Sequence, residues 1–198
     1  METRKILVAY ATNSGSTAEA AKIVGEALGQ TGIPVEVRRV EEVAGVEAYS
    51  AVVVGAPLIM GWHRAAIRFI RKHRNGLSHI PVAYFFTARS LTQLNETEVR
   101  EVPVAIDPAL AQPPRDPDHL SFRENYATVK NYLRPALNAA RSVKPVSAAF
   151  FGGILRMSGL KWWQTIFVLL VVQAKPGGEH NAPFIRAWAA SLQEKLSK

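Results

Sequence analysis

The sequence predicts an α/β fold: a single domain over residues 1–198 built on a doubly wound, five-stranded parallel sheet of order 2-1-3-4-5. Three observations predict it. Apolar runs of strand length alternate with amphipathic helical stretches, the pattern of consecutive βαβ units. The inner runs are apolar throughout rather than alternating, as strands covered on both faces are. The first run passes straight into a turn rich in hydroxyls and glycine that opens a helix, which is where sheets of this class take ligands.

Each element has its own warrant. "KILVAYA" (5–11) is a continuous apolar strand. Ala20, Ile23, Val24, Ala27 and Leu28 then recur at helical spacing, and Gly29 and Gly32 mark the end of that helix. "PVEVRRV" (34–40) alternates and suits a strand nearer an edge, whereas "AVVVGAP" (51–57) is a third, central strand. From His63 a helix runs to Asn75–Gly76 with Ala66, Ile67, Ile70 and Leu77 facing inward. "IPVAYFFTA" (80–88) is the fourth strand, a helix covers roughly 122–141, and "KPVSAAFFGG" (144–153) is the fifth strand. A last helix starts near Asn181 and buries Ile185, Trp188, Ala189, Leu192 and Leu196. Two insertions interrupt this scheme. Residues 92–120 hold five prolines and predict a long surface loop, and an apolar segment occupies 154–180.

Composition narrows the function. With 48% hydrophobic residues the chain can bury a substantial core, and the absence of cysteine excludes disulfides, thiol catalysis and thiolate-ligated metals. No metal site is expected. The net charge of +8 favours anionic partners: an acidic substrate, an anionic membrane face or nucleic acid. Nucleic acid is not expected as a partner, because no recognisable binding module or basic–aromatic stripe is present. The N-terminus reaches its first strand within five residues without signal-peptide architecture, so a cytoplasmic location is expected.

The turn "TNSGST" comprises Thr12, Asn13, Ser14, Gly15, Ser16 and Thr17. At a helix start, backbone N–H groups and the helix dipole favour an anion, and four hydroxyls add donors. No lysine or arginine lies in the turn, so a phosphate there would meet neutral donors only. A second reading needs no ligand. Ser16 and Glu19 have the S-x-x-E spacing of a capping box, which would close the helix by itself. The dinucleotide fingerprint G-x-G-x-x-G and the phosphate loop G-x-x-x-x-G-K-[ST] are both absent.

"TNSGST" after an apolar strand resembles the T-x-[ST]-G-x-T signature with which flavodoxins hold the FMN phosphate. The resemblance covers nearly the whole chain apart from the two insertions, and implies a flavodoxin-like fold with FMN as cofactor. It implies that Thr12 to Thr17 bind the phosphate. It further implies that Pro57, Leu58, Ile59, Met60, Gly61 and Trp62, with Thr87, Ala88 and Arg89, border the ribityl chain and ring.

Electron-carrying flavodoxins are typically acidic. Here the helix after the third strand carries Arg64, Arg68, Arg71, Lys72 and Arg74 on its outer face. "VVVGAPLIMGWHRAAIRFIRKH" (52–73) and "SAAFFGGILRMSGLKWWQTIFVLLVVQ" (147–173) are similar to the FMN-dependent protoporphyrinogen IX dehydrogenases that reduce a quinone. That resemblance implies oxidation of a porphyrinogen-like substrate and transfer of electrons to a quinone. Arg89 and Arg156 are then candidates to meet its propionates, and solvated surface arginines are the plain alternative. His63 is a candidate substrate contact or an ordinary helix-start histidine, and no catalytic base is assigned. A flavodoxin-type carrier, an NAD(P)H:quinone reductase and a non-enzymatic module of the same fold stay open.

"WWQTIFVLLVVQA" (162–174) would span ~20 Å as a helix, short of the ~30 Å hydrocarbon core, so it does not read as transmembrane. Three readings stay open for it. It is a buried element, a dimer interface, or, with Arg156, Lys161 and Lys175 beside its tryptophans, a peripheral contact over 156–175 with the inner face of a membrane.

Overall fold

In the computed structural model, residues 5–30, 32–58, 61–92, 95–114, 116–153 and 180–196 are described. The strands are β1 (Ile6–Tyr10), β2 (Val35–Arg39), β3 (Ala51–Pro57), β4 (Val82–Ala88), β5 (Glu98–Val99), β6 (Val102–Ile106) and β7 (Pro145–Gly152). The helices are α1 (Ser16–Gly29), α2 (Arg64–Lys72), α3 (Arg74–Leu77), α4 (Phe122–Tyr126), α5 (Val129–Ala139), α6 (Ala182–Ser191) and α7 (Gln193–Leu196). Ile59, Met60, Arg156 and the whole apolar stretch 162–174 lie outside the described residues.

The sheet runs β2-β1-β3-β4-β7-β6-β5. Its core keeps the expected 2-1-3-4-5 order, but the sheet has seven strands rather than five. The two extra strands come from the segment expected to be a loop. Val99 pairs with Val102 across a two-residue turn in which Arg100 (φ 51°) and Glu101 (φ 65°) are both left-handed. That turn matches the right-handed twist of a hairpin, although neither residue is one that usually supplies it. β6 then joins β7 in parallel, Val104 opposite Ala148 and Ile106 opposite Phe150. Pro103 is tolerated because it is exposed near the edge of the sheet.

The apolar runs explain the layering. In β1, β3, β4 and β7 nearly every residue is buried, with alternate side chains entering two separate cores. One face packs Val8, Val53, Phe85 and Phe151 against α1 and α6. The other packs Leu7, Val54, Tyr84, Phe86 and Phe150 against α2, α3 and α5. Aromatic rings fill both: Phe151 meets Trp188 edge-on at 5.3 Å, and Phe86 stacks on Phe150 at 4.7 Å. Truncating any of these buried rings to alanine is expected to cost ~3–5 kcal/mol. The helix expected at 122–141 is broken at Ala127–Thr128, where the Thr128 hydroxyl caps α5 by accepting from the Asn131 N–H.

Candidate functional site

The carboxyl ends of β1, β3, β4 and β7 converge, and short hydrogen bonds bind the loops that leave them. The Ala11 N–H donates to the Gly55 carbonyl at 2.9 Å, Leu58 N–H to Thr87 O at 2.9 Å, and Gly153 N–H to Ala88 O at 2.7 Å. The turn 12–17 sits at the switch point, since β1 lies between β2 and β3.

Within that turn Gly15, not Ser16, is the N-cap of α1. Its φ of +90° is a conformation that side chains avoid, and nothing lies within 4 Å of where a Cβ would project. The N-cap residue has no side chain to cap with, so a capping box with Ser16 as its N-cap is not what starts the helix. Ser16 occupies the first helical position, with its side chain buried. The helix start therefore offers the N–H groups of its first turn toward open space at Gly15, the fit an anion requires. Thr12 Oγ1 accepts from Gly15 N–H at 3.0 Å, which shapes the turn and leaves the Thr12 hydroxyl proton to donate. Ser14 is half-buried and Asn13 exposed beside it.

Two side chains expected to face ligand are instead committed to the scaffold. Thr17 is 1% exposed and shares a 2.8 Å hydrogen bond with Thr87 of β4, itself buried. Only one of the two hydroxyl protons is used in that bond, so one remains to be donated. Trp62 is also buried, its ring 5.4 Å from Tyr84 and 4.9 Å from Phe86, so it anchors the 57–62 loop in the core rather than lining an open flavin face. Gly61, at φ +107°, lets that loop double back, and Leu58 and Trp62 form a β-bridge across it. Pro57 and Leu58 are half-buried at its start.

His63 joins the two loops. Its Nδ1 accepts from the Ala65 N–H at 3.3 Å, capping α2, while Nε2 lies 2.9 Å from Asn13 Oδ1. An accepting Nδ1 requires the proton on Nε2, which then donates to Asn13, so the ring is neutral. Burial, reinforced by Arg68 and Arg39 and opposed by Glu41, lowers its pKa below the ordinary 6.5. Ala88 is buried and Arg89 exposed at the end of β4.

Two groups near the site are not among the residues the sequence singles out. Tyr126, at the end of α4, places its hydroxyl beside Gly61, and the neighbouring Phe122 is 86% exposed and stacks with it. His180, just before α6, touches Ser16 and Gly152. A helix-period pattern near 122 could have marked the exposed aromatics; nothing local marks His180. Among the described residues no group of histidine, aspartate and glutamate is arranged to hold a metal.

A helix start that is open at Gly15, lies at the switch point of a doubly wound parallel sheet and is tied through His63 to the loop after β3 has the form of a phosphate site in an α/β protein. The comparisons specify which. The chain matches the Flavodoxin domain family over residues 7–181 and belongs to it. A flavodoxin from the domain Archaea is similar in fold along its whole length, with 98% of this chain and 99% of that one covered, 13% identity and a TM-score of 0.50. More partial likenesses include a Fusobacterium nucleatum flavodoxin mutant bound to flavin mononucleotide (18% identity, 44% and 52% covered, TM-score 0.35). Another is the rubredoxin oxygen:oxidoreductase of Desulfovibrio gigas (18%, 43% and 23%, TM-score 0.36). No curated protein matches. The protein is a flavodoxin-domain flavoprotein with FMN as its cofactor.

Proposed function

We propose that this protein oxidises protoporphyrinogen IX, or a similarly reduced anionic substrate, and passes the electrons to a membrane quinone. The observation that carries the reading is the outer face of α2, which begins beside the loop 57–62. Arg64, Arg68, Arg71 and Lys72 are exposed there and Arg74 is exposed at the start of α3, α2 and α3 contain no acidic residue, and no ion pair engages the five among the described residues. An acidic flavodoxin carrier presents the opposite sign. A substrate bearing propionates gains from such a field, and so does docking on anionic lipid.

FMN, when bound, would supply the redox chemistry, carrying electrons in pairs over repeated cycles from the reduced substrate to the acceptor. The chain's own residues position it. The first turn of α1 with Thr12, Asn13 and Ser14 would hold the phosphate, while Pro57 to Gly61, anchored by the buried Trp62, and Thr87 to Arg89 would border the remainder. His63 keeps the two loops in register as a neutral bridge. Phe122 and Tyr126 offer an apolar surface to a flat substrate beside Gly61, and Arg89 and Arg156 are assigned to its carboxylates. The segment 156–175 is assigned to the membrane contact that a bilayer quinone requires; among the described residues no helix is long and apolar enough to cross a membrane.

The test is anaerobic porphyrinogen oxidation by FMN-reconstituted protein with a menaquinone analogue as acceptor. Turnover that falls about tenfold in an Arg68→Glu/Arg71→Glu variant, mainly through KM, supports the reading. FMN binding without porphyrinogen turnover refutes it. The second reading, an electron carrier, is favoured by the full-length likeness to an archaeal flavodoxin. A carrier would exchange electrons with a reductase partner and leave porphyrinogen untouched.

A further inference from the structure

We infer that His180 is a charged positioning residue for the FMN phosphate, supplying the cation that the turn 12–17 lacks. The inference rests on the FMN assignment above and adds a group 164 residues away from the turn in sequence.

The imidazole spans the start of α1 and the end of β7. Its Nδ1 is 2.8 Å from Gly152 O and its Nε2 is 2.8 Å from Ser16 O. Carbonyl oxygens only accept, so both ring nitrogens must donate, and only the imidazolium does that. Ser16 Oγ, 3.3 Å from Nε2, does not change the conclusion. A bare Nε2 accepting from that hydroxyl would still face the Ser16 carbonyl lone pairs at 2.8 Å. The structure thus holds a positive ring against the first residue of a helix, the end where the dipole disfavours a cation and welcomes an anion. A phosphate at the turn converts that unfavourable placement into a favourable one.

Among the described residues no carboxylate is hydrogen-bonded to the imidazole. Asp107 is fully buried at the end of β6, and its carboxylate accepts from Ala109 N–H (3.0 Å), Gly152 N–H (3.2 Å) and Asn181 Nδ2 (2.9 Å). It therefore fixes the residues on either side of the clasp, Gly152 and Asn181, rather than bonding the imidazole. On α1, Glu19 lies a turn further along and Lys22 points to solvent. From β4, Thr87 is bonded to Thr17 and Arg89 follows in the exposed loop. On α6, Arg186 is exposed a turn beyond Asn181. Because coupling is reciprocal, phosphate binding and ring protonation each favour the other.

The experiment compares FMN with riboflavin, which lacks only the phosphate, by flavin fluorescence titration of the full chain between pH 6.5 and 8.5. A phosphate monoester is largely dianionic above pH ~6, so a loss of affinity across this range originates in the protein. FMN affinity is expected to fall about tenfold across this range, while riboflavin affinity stays level. His180→Gln should show the weaker FMN affinity already at pH 6.5, without a pH trend, and His180→Lys should restore it. Nitrogen-15 spectra of the wild-type complex, which need no variant, should show both His180 ring nitrogens protonated. A flat FMN profile, FMN and riboflavin moving together, or a neutral His180 in the complex would overturn the inference. Failure to bind either flavin would overturn the FMN assignment with it.

Discussion

Removing the hydroxyl of Thr17 should destabilise the protein unless that of Thr87 is removed as well. The two oxygens are 2.8 Å apart, and the residues are 1% and 4% exposed, so no solvent replaces a lost partner. Valine keeps the volume of threonine. Thr17→Val or Thr87→Val alone therefore chiefly strands a buried hydroxyl, at a cost of about 2 kcal/mol. The double variant strands nothing and should lose less than about 1 kcal/mol, a coupling on the order of 3 kcal/mol. For a chain of this size each single change should lower Tm by roughly 4–8 °C. Urea denaturation of the apo protein, followed by circular dichroism across all four sequences, measures the cycle. Additive single effects would show that the turn and β4 are not joined by this bond.

Other outcomes follow from the same structure. His63 and His73 are both held below histidine's ordinary 6.5, in each case chiefly by burial, so the folded protein binds protons less readily than the unfolded chain. Their contribution is complete above pH ~6.5 and is lost as pH falls through the lowered values; Tm measured from pH 7.5 to 5 should decline, less steeply in His63→Gln. The Tyr49 hydroxyl, then Lys5 and Arg38, hold the Glu36 carboxyl at about 2. That carboxylate stabilises the fold above its ordinary 4.5 and loses its contribution toward pH 2, so Tyr49→Phe should move acid unfolding to higher pH. A methyl at Gly55 would overlap the Phe85 ring on the neighbouring strand, so Gly55→Ala should cost ~1–3 kcal/mol in urea unfolding.

The sheet was legible where burial dictates composition. Runs such as 51–57 and 82–88 are almost wholly apolar because both faces are covered, and no other role explains six and seven consecutive buried residues. The hairpin of β5 and β6 was hidden by its prolines and by Arg100 and Glu101, which adopt left-handed conformations without being glycine or asparagine. The turn 12–17 was readable as a helix start, but its first residue was not. Ser16 has cap chemistry, yet the left-handed Gly15 takes that role and sends Ser16 inward. Trp62 looked like a ring-lining aromatic because a sequence does not say which side of a loop faces the core. His180 could not be assigned at all, since its partners are carbonyls and every residue has one.

The most direct test of where the cofactor sits is a fluorescence titration of FMN against the wild type and a Thr12→Val/Ser14→Ala variant. The account predicts binding by the wild type and affinity at least about tenfold weaker in the variant, with helix content unchanged. Equal affinity in the two proteins would contradict it.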